Sequence, residues 1–254
     1  MNMEKYYQLD NSKLSFTRQQ ASDFAKLVAG DFNPIHDPES KRFCVPGDLL
    51  FAVIIRHYGL RQVMGFSFSG MVKDKVTLCL PKVQAREISI YDDNDKKYLD
   101  ISCNGEASQD LALIDSLISN YVQFSGDTFP HVLVPLMKQN NVMINTERPL
   151  VIYDHMRIAL DTLDIDEVSL SLADSQFRIY GKRGDMALNF DLKCNGEPIG
   201  KGQKKMVMSG LRAYDQASID ELVSSYNQRK ENYLKAQSEG YESMTTPMLE
   251  PAQR

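Results

Sequence analysis

The apolar positions near the N-terminus repeat with a helical period. Over residues 17–30 they follow the i, i+3, i+4, i+7 spacing that places side chains on one helix face. The residues on this face are Ala21, Phe24, Ala25 and Val28. Thr17 and Gln20 have the spacing of a capping box, and Gly30 is the residue type that commonly ends a helix in the left-handed conformation. The pattern therefore predicts a helix with both ends marked.

A second helical stretch, residues 48–64, is apolar on nearly every side through the run Leu49–Ile55. A helix of that kind is buried. Residues 66–114 then change to the alternating apolar and polar pattern of strands. Asn104 and Gly105 lie between two such runs, which predicts a hairpin turn there.

Two short sequences recur at nearly equal offsets. The tetrapeptide Cys103–Glu106 reappears as Cys194–Glu197, 91 positions later. The segment Gly30–His36 is echoed in shortened form by Gly126–His131, 96 positions later at its glycine. Repeats at nearly equal offsets indicate a duplicated structural unit. The sequence therefore predicts two β-α-β-β-β-β units.

The predicted organisation has four parts. Residues 1–116 form a first unit with an intact motif, residues 117–210 a second and degenerate unit, residues 211–236 an amphipathic helix, and residues 237–254 a flexible tail. The second unit has its own apolar helix at residues 132–138, and the amphipathic helix is expected to pack across the sheet.

Composition narrows the functions that need to be considered. The 254 residues carry 29 Lys and Arg against 34 Asp and Glu, a net charge of −5 without a basic run. Nucleic acid is therefore not an expected partner. The longest apolar run, Leu49–Ile55, is far shorter than the roughly 20 residues that span a bilayer, so no membrane span is expected. Without an apolar leader at Met1, a cytoplasmic protein is predicted.

The four cysteines show no metal-type or disulfide-type spacing. They are Cys44, Cys79, Cys103 and Cys194. We interpret them as small buried apolar residues, and we expect no disulfide, no metal and no cofactor.

The segment Gly30–His36 reads Gly-Asp-Phe-Asn-Pro-Ile-His and follows a capped helix. In this it resembles the MaoC-like, or type-2 (R-specific), enoyl-CoA hydratase family, whose signature is Gly-Asp-x-Asn-Pro-[Ile/Leu]-His. The resemblance covers about the first 65 residues. It implies the hot-dog fold, a helix wrapped by an antiparallel sheet. Together with the echoes, the predicted fold class is α+β, a divergent double hot-dog with a C-terminal helix.

The resemblance also implies roles for five residues. Asp31 and His36 correspond to the catalytic pair that activates water and protonates the α-carbon, chemistry that suits an imidazole beside a carboxylate near neutral pH. The backbone N–H of Gly47 corresponds to the oxyanion hole for a thioester enolate. Asn33 and Pro34 are expected to position the loop, through an Asx-type hydrogen bond and a fixed φ. No metal is implied.

The implied activity interconverts trans-2-enoyl and (R)-3-hydroxyacyl thioesters of CoA or acyl carrier protein, in a pseudo-dimer within one chain that could also form a homodimer. The chain departs from the family after the motif, where the loop is short and Pro46-Gly47-Asp48 replaces His-Gly-Met. A non-catalytic acyl-thioester-binding or regulatory protein is therefore the alternative. A thioesterase, which shares the fold, needs a differently placed carboxylate. Alternatively, Asp31 and His36 have only a structural role, capping the helix end and making hydrogen bonds within the loop.

The remaining polar candidates are given structural interpretations. These are His57 as a core or helix-end residue, His155 as strand surface, Asp127 and His131 as a degenerate copy of the motif, and Lys201, Lys204 and Lys205 as a solvated strand face. A single apolar pocket is expected between the units, with Asp31, His36 and Gly47 at its mouth and Leu133 in its wall.

Overall fold

The computed structural model describes residues 1–82 and 85–245, without the side chains of residues 238–245. The helices are α1 (Arg18–Asp23), α2 (Gly47–Tyr58), α3 (Leu111–Gly126), α4 (Thr128–His131), α5 (Leu133–Gln139) and α6 (Gln216–Thr245). The strands are β1 (Gln8–Asp10), β2 (Lys13–Ser15), β3 (Leu60–Phe68), β4 (Leu78–Cys79), β5 (Glu87–Asp92), β6 (Lys97–Ser108), β7 (Val142–Met143), β8 (Val151–Leu160), β9 (Ser169–Tyr180), β10 (Arg183–Cys194), β11 (Glu197–Ser209) and β12 (Arg212–Ala213).

Ten strands form one antiparallel sheet in the order β1-β2-β4-β5-β6-β3-β8-β11-β10-β9. From the central pair β3–β8, the order runs outward as β6, β5, β4 on one side and as β11, β10, β9 on the other. Each half is therefore a central strand followed along the chain by three more strands. With helix α2 buried against this sheet, the architecture fits the α+β hot-dog fold that the sequence predicts.

Helix α2 is buried along almost its whole length, as its all-round apolar sequence predicts. Phe51 illustrates this, because its ring packs edge-on against Phe66 of the sheet and Tyr121 of α3, with ring centroids 5.1 and 4.7 Å apart. The predicted C-terminal end of the helix is wrong. The helix stops at Tyr58 because Gly59 has φ +86°, so residues from Leu60 onward belong to β3.

The first helix has the ends that the sequence predicts. Thr17 accepts a hydrogen bond from the Gln20 N–H, while the Gln20 side chain accepts one from the Thr17 N–H. After Asp23 the helix continues as one π-helical turn, Phe24–Val28, and Gly30 follows with φ +66°. This end matters for the site, because it places the next residue, Asp31.

The two Asn-Gly sequences are not structurally equivalent. Asn195 and Gly196 form the turn between β10 and β11, both with positive φ. The predicted hairpin at Asn104 and Gly105 is wrong, because β6 continues through them. The strand bulges there, and the Gln62 side chain accepts a hydrogen bond from the backbone after Gly105. The repeated Asn-Gly sequence thus lies in a turn in one half of the sheet and inside a strand in the other.

The strand pattern predicted to residue 114 ends too late. Asp110 caps α3 by accepting hydrogen bonds from the N–H groups of Ala112 and Leu113, at 2.7 and 3.2 Å, so a helix starts at Leu111. The predicted boundary between residues 116 and 117 therefore falls inside α3. The predicted helix over residues 132–138 is confirmed as α5.

The C-terminal helix α6 begins after Asp215, whose carboxylate accepts from the Ser218 N–H at 2.8 Å. Its buried Ile219 joins an apolar cluster with residues of α5, β10 and β11, and Tyr226 further along contacts the segment after Gly30. The helix extends to Thr245, past the predicted end at 236, and residues 246–254 of the predicted tail lie outside the described residues. Within the described chain, no helix is both long and apolar enough to cross a membrane.

Candidate functional site

The segment after Gly30 is held by hydrogen bonds of its own residues. Asp31 Oδ1 accepts from the Asn33 N–H at 2.9 Å, and Asn33 Oδ1 accepts from the Ile35 N–H at 3.2 Å. Pro34 is the first residue of a single 3-10 turn that ends at His36. Two consecutive Asx-type bonds and a proline thus bring the side chains of Asp31 and His36 to the same side of the loop.

Asp31 and His36 face each other, with Asp31 Oδ2 3.5 Å from His36 Nε2. The other ring nitrogen, Nδ1, lies 2.7 Å from the carbonyl oxygen of Cys44. A carbonyl can only accept, so Nδ1 carries the proton and donates it there. In the neutral ring, Nε2 is therefore an unprotonated acceptor directed towards the carboxylate. The Asp31 and His36 side chains are 28% and 12% exposed, so solvent reaches the pair.

A cavity of about 440 Å³ opens beside this pair. Asp31, His36, Gly47 and Leu133 all line it. Both halves of the sheet contribute wall residues, from β3 and the segment after it on one side and from β8 and β11 on the other. The apolar wall residues include Leu50, Phe68, Val72, Ile144, Val151 and Met206. The volume is in the range of small-molecule sites.

Helix α2 presents its N-terminus to the cavity. The helix begins at Gly47 after Pro46, without a side-chain cap. The N–H groups of Leu49 and Leu50 donate to the Pro46 carbonyl, whereas those of Gly47 and Asp48 precede the first residue that could receive them within the helix. The ring of Tyr153 packs on Gly47, since a Cβ added there would lie 2.4 Å from Tyr153 Cδ1. Glycine is therefore required for this close approach, and the positive end of the helix dipole points at the site.

Three buried polar residues lie next to this helix start. Asp48 Oδ2 accepts a hydrogen bond from the Ser125 hydroxyl and is 3.6 Å from Lys204 Nζ, which also donates to Ser125. Burial raises the pKa of the Asp48 carboxyl, and the Lys204 ammonium and the Ser125 hydroxyl oppose that shift. Asp48 Oδ1 has no hydrogen-bond partner among the described residues.

Lys204 was predicted to lie on a solvated strand face, and that prediction is wrong. The residue is 4% exposed, and its Nζ lies 4.2 Å from the centroid of the Tyr153 ring. The signal was in the strand period, because Lys204 is two and four positions before the apolar Met206 and Met208, and residues two apart along a strand share one face. Sequence reasoning also missed Tyr153, whose hydroxyl is hydrogen-bonded to that of Tyr121.

The other candidates remain away from the cavity. His57 lies in the last turn of α2, and His155 on β8 shares a 2.9 Å hydrogen bond with the Ser67 hydroxyl. Burial lowers the pKa of both imidazoles. Asp127 and His131 are exposed and do not line the cavity.

The cysteines are free thiols, each half-buried rather than fully buried. Burial raises the pKa of Cys44 to about 12, so that thiol is protonated at neutral pH. Within the described ranges, no cluster of three or more His, Cys, Asp or Glu side chains could hold a metal ion.

Several solved structures are similar to the chain at low identity. A conserved hot-dog-fold protein of unknown function from Alicyclobacillus acidocaldarius has 6% identity and a TM-score of 0.47, covering 85% of this chain and 99% of its own. A MaoC-like dehydratase has 8% identity and a TM-score of 0.41, covering 82% and 99%. An acyl-CoA thioesterase II, TesB2, from Mycobacterium marinum has 10% identity and a TM-score of 0.40, covering 84% and 99%.

A search of curated proteins finds no match. A family model described as "Protein of unknown function (DUF3581)" matches residues 1–217, which include the paired side chains, the start of α2 and the whole sheet. The chain therefore belongs to the DUF3581 family of proteins of unknown function.

Proposed function

We propose that this protein is a hydro-lyase that interconverts trans-2-enoyl and (R)-3-hydroxyacyl thioesters, carried on CoA or acyl carrier protein. One observation carries the proposal. Asp31 and His36 face each other across 3.5 Å at an apolar cavity that also receives the N-terminus of α2. Groups that can take a proton from water and return it, an apolar space for an acyl chain, and N–H donors for the developing oxyanion are the three things that this reaction requires.

The chemistry assigned to the pair follows from its hydrogen bonds. A water held by Asp31 Oδ2 and His36 Nε2 attacks the β-carbon while one of these two groups takes its proton. A proton returned from the pair to the α-carbon completes the addition of water across the double bond. Because Nδ1 of His36 is committed to the Cys44 carbonyl, Nε2 is the ring nitrogen available for this exchange.

The negative charge that develops on the thioester oxygen needs hydrogen-bond donors. The N–H group of Gly47, at the start of α2 and on the cavity wall, is the donor that we assign. Because Gly47 lines the same cavity as the Asp31–His36 pair, a bound thioester would have both within reach of its reacting atoms. The acyl chain then extends along the apolar wall towards Leu133, which both halves of the chain help to form.

The test follows the absorbance of crotonyl-CoA as water adds to it. We expect Asp31→Asn and His36→Gln to lower the hydration rate by about 10²- to 10⁴-fold, with little change in folding. The matched controls are Asp127→Asn and His131→Gln, which change the exposed copy of the motif and should leave the rate unchanged. Equal rates for Asp31→Asn, His36→Gln and wild type would remove both residues from the mechanism.

A second candidate function is binding of an acyl thioester without turnover. The Asp48 carboxylate favours it, because a buried negative charge next to Gly47 opposes an enolate at the same place. This candidate takes over if wild-type protein binds enoyl-CoA, measured by calorimetry, and hydrates neither short nor long chains.

We further propose that the two halves are duplicated hot-dog units forming a pseudo-dimer within one cytoplasmic chain. The mirrored strand order around β3–β8 supports this proposal. Helices α2 and α5, which come after the segments Gly30–His36 and Gly126–His131, would then be counterparts, although α5 is the shorter.

A further inference from the structure

The Tyr226 hydroxyl of helix α6 is hydrogen-bonded to the loop that carries the Asp31–His36 pair. The Tyr226 hydroxyl donates a hydrogen bond to the Gly30 carbonyl and accepts one from the Phe32 N–H, both at 3.2 Å. These two backbone groups flank Asp31 on either side. One side chain from the far end of the chain therefore fixes the backbone from which the Asp31 carboxylate projects.

The other end of the same loop is held by charge. Asp37, the residue after His36, is ion-paired with Arg229, one turn beyond Tyr226 on α6. Its second oxygen lies 2.9 Å from Lys26 Nζ, at 13% and 18% side-chain exposure for Lys26 and Asp37. Helix α6 thus contacts Gly30 and Phe32, on either side of Asp31, and also Asp37, which follows His36.

Packing leaves the loop few alternative positions. The Phe32 ring is 2% exposed and meets the Tyr226 ring edge-on, with centroids 6.1 Å apart. On its other side, Tyr226 meets the Phe129 ring at 4.9 Å. Tyr226 and Leu222 also line the cavity, so the helix that fixes the loop is part of the binding site.

We propose that α6 positions the Asp31–His36 loop, with Tyr226 as the principal positioning residue. The expected loss of hydration rate rests on the proposed function, whereas the expected movement of the loop does not. A reaction that needs two groups on one water is sensitive to their separation, and a misplacement of about 1 Å costs on the order of 100-fold in rate. Without the Tyr226 hydroxyl, the Gly30 carbonyl and the Phe32 N–H lose their partner and the loop shifts to find others.

The experiment compares Tyr226→Phe with Tyr233→Phe. Both remove one hydroxyl from α6 and keep the ring, but the Tyr233 hydroxyl reaches the Asp23 side chain and not the loop. For Tyr226→Phe we expect kcat for crotonyl-CoA hydration to fall by about 10- to 100-fold with KM nearly unchanged. Tyr233→Phe should keep both constants. A kcat for Tyr226→Phe within twofold of wild type would overturn the proposal.

Arg229 offers a rescue test at the other end of the loop. Arg229→Met removes the positive charge that faces Asp37 and should lower kcat. Arg229→Lys keeps a positive charge there and should keep most of the wild-type kcat. An equal loss of kcat in both variants would mean that Arg229 affects general stability and not the position of the loop. That result would count against the proposal.

Amide hydrogen exchange separates this inference from the proposed function. In Tyr226→Phe the Phe32 N–H loses its acceptor, so the peptide covering residues 30–33 should exchange faster than in wild type or in Tyr233→Phe. If wild type hydrates no enoyl thioester, the proposed function fails while the exchange result still decides on α6. Unchanged exchange in Tyr226→Phe would then refute the positioning role.

Discussion

Replacement of Lys204 by methionine should destabilise the protein severely, because it leaves the Asp48 carboxylate buried without a counter-charge. The two charges are 3.6 Å apart, with side chains only 6% and 11% exposed. At an effective dielectric constant of about 20, charges at that separation attract by about 5 kcal/mol. Breaking one partner of a buried pair typically costs about 3–5 kcal/mol. We therefore expect Lys204→Met to lower the free energy of unfolding by roughly that amount.

The double variant Asp48→Asn, Lys204→Met removes both charges and should recover most of the lost stability. Its cost should stay below about 1 kcal/mol, since neutral replacements for a buried pair are often tolerated. Urea denaturation followed by circular dichroism measures all the variants, with the slope checked for two-state behaviour. The matched control is Lys13→Met, which breaks an ion pair with Asp93 that is half exposed and should change the midpoint very little.

The same reasoning predicts a pH dependence. Burial raises the pKa of the Asp48 carboxyl above its unfolded value, so the folded state holds the proton more tightly. Such a group costs nothing below the unfolded pKa of about 4, and its cost grows as pH rises from there through the folded pKa. Lys204→Met should therefore lose most stability at neutral pH and approach wild type near pH 4.

Two results would refute this reasoning. A loss below about 1 kcal/mol for Lys204→Met at neutral pH would mean that the carboxylate is solvated or neutral in the folded protein. A double variant that loses as much as the lysine variant would mean that packing of the Lys204 stem, and not its charge, accounts for the effect.

Two further predictions concern the cavity and the helix contacts. Leu133→Ala should enlarge the cavity and Leu133→Trp should fill it, so the preference between long and short enoyl thioesters should shift while crotonyl-CoA turnover is retained. Equal changes of rate for all chain lengths would contradict the placement of Leu133 in the wall of the acyl-chain site. Gly126→Ala should lower the free energy of unfolding by roughly 1–3 kcal/mol, since its Cβ would lie 1.8 Å from the Ala29 carbonyl oxygen. Gly70→Ala, whose Cβ would lie 3.3 Å from a side-chain ring rather than against backbone, is the control and should lose less stability in the same urea denaturation.

Local sequence predicted those elements whose determinants are adjacent residues. The capping box of Thr17 and Gln20, the left-handed Gly30 and the Asx-type bond of Asn33 all form as expected, because each is an interaction over two or three positions. The buried character of α2 was also readable, since a helix that is apolar on every side has no other stable location.

Local sequence failed where a distant strand decided the outcome. Asn104 and Gly105 have the composition of a hairpin turn, yet the ladder with β3 carries β6 straight through them as a bulge. The backbone gains more hydrogen bonds from the long ladder than from an early turn. Met64 likewise belongs to a strand, because Gly59 reverses the chain and β3 pairs with strands on both sides.

The sequence by itself determined the local turns of the loop that carries Asp31 and His36, including the Asx-type hydrogen bond of Asn33. Only the tertiary structure decided what surrounds that loop. Lys204 and Tyr226 come from positions far along the chain, and nothing near either one specifies that it will meet Asp48 or Gly30. A buried charge needs a counter-charge, and a buried backbone group needs a hydrogen-bond partner, but either partner can come from any part of the chain. These partners are therefore fixed only when the sheet has formed and α6 has packed on it.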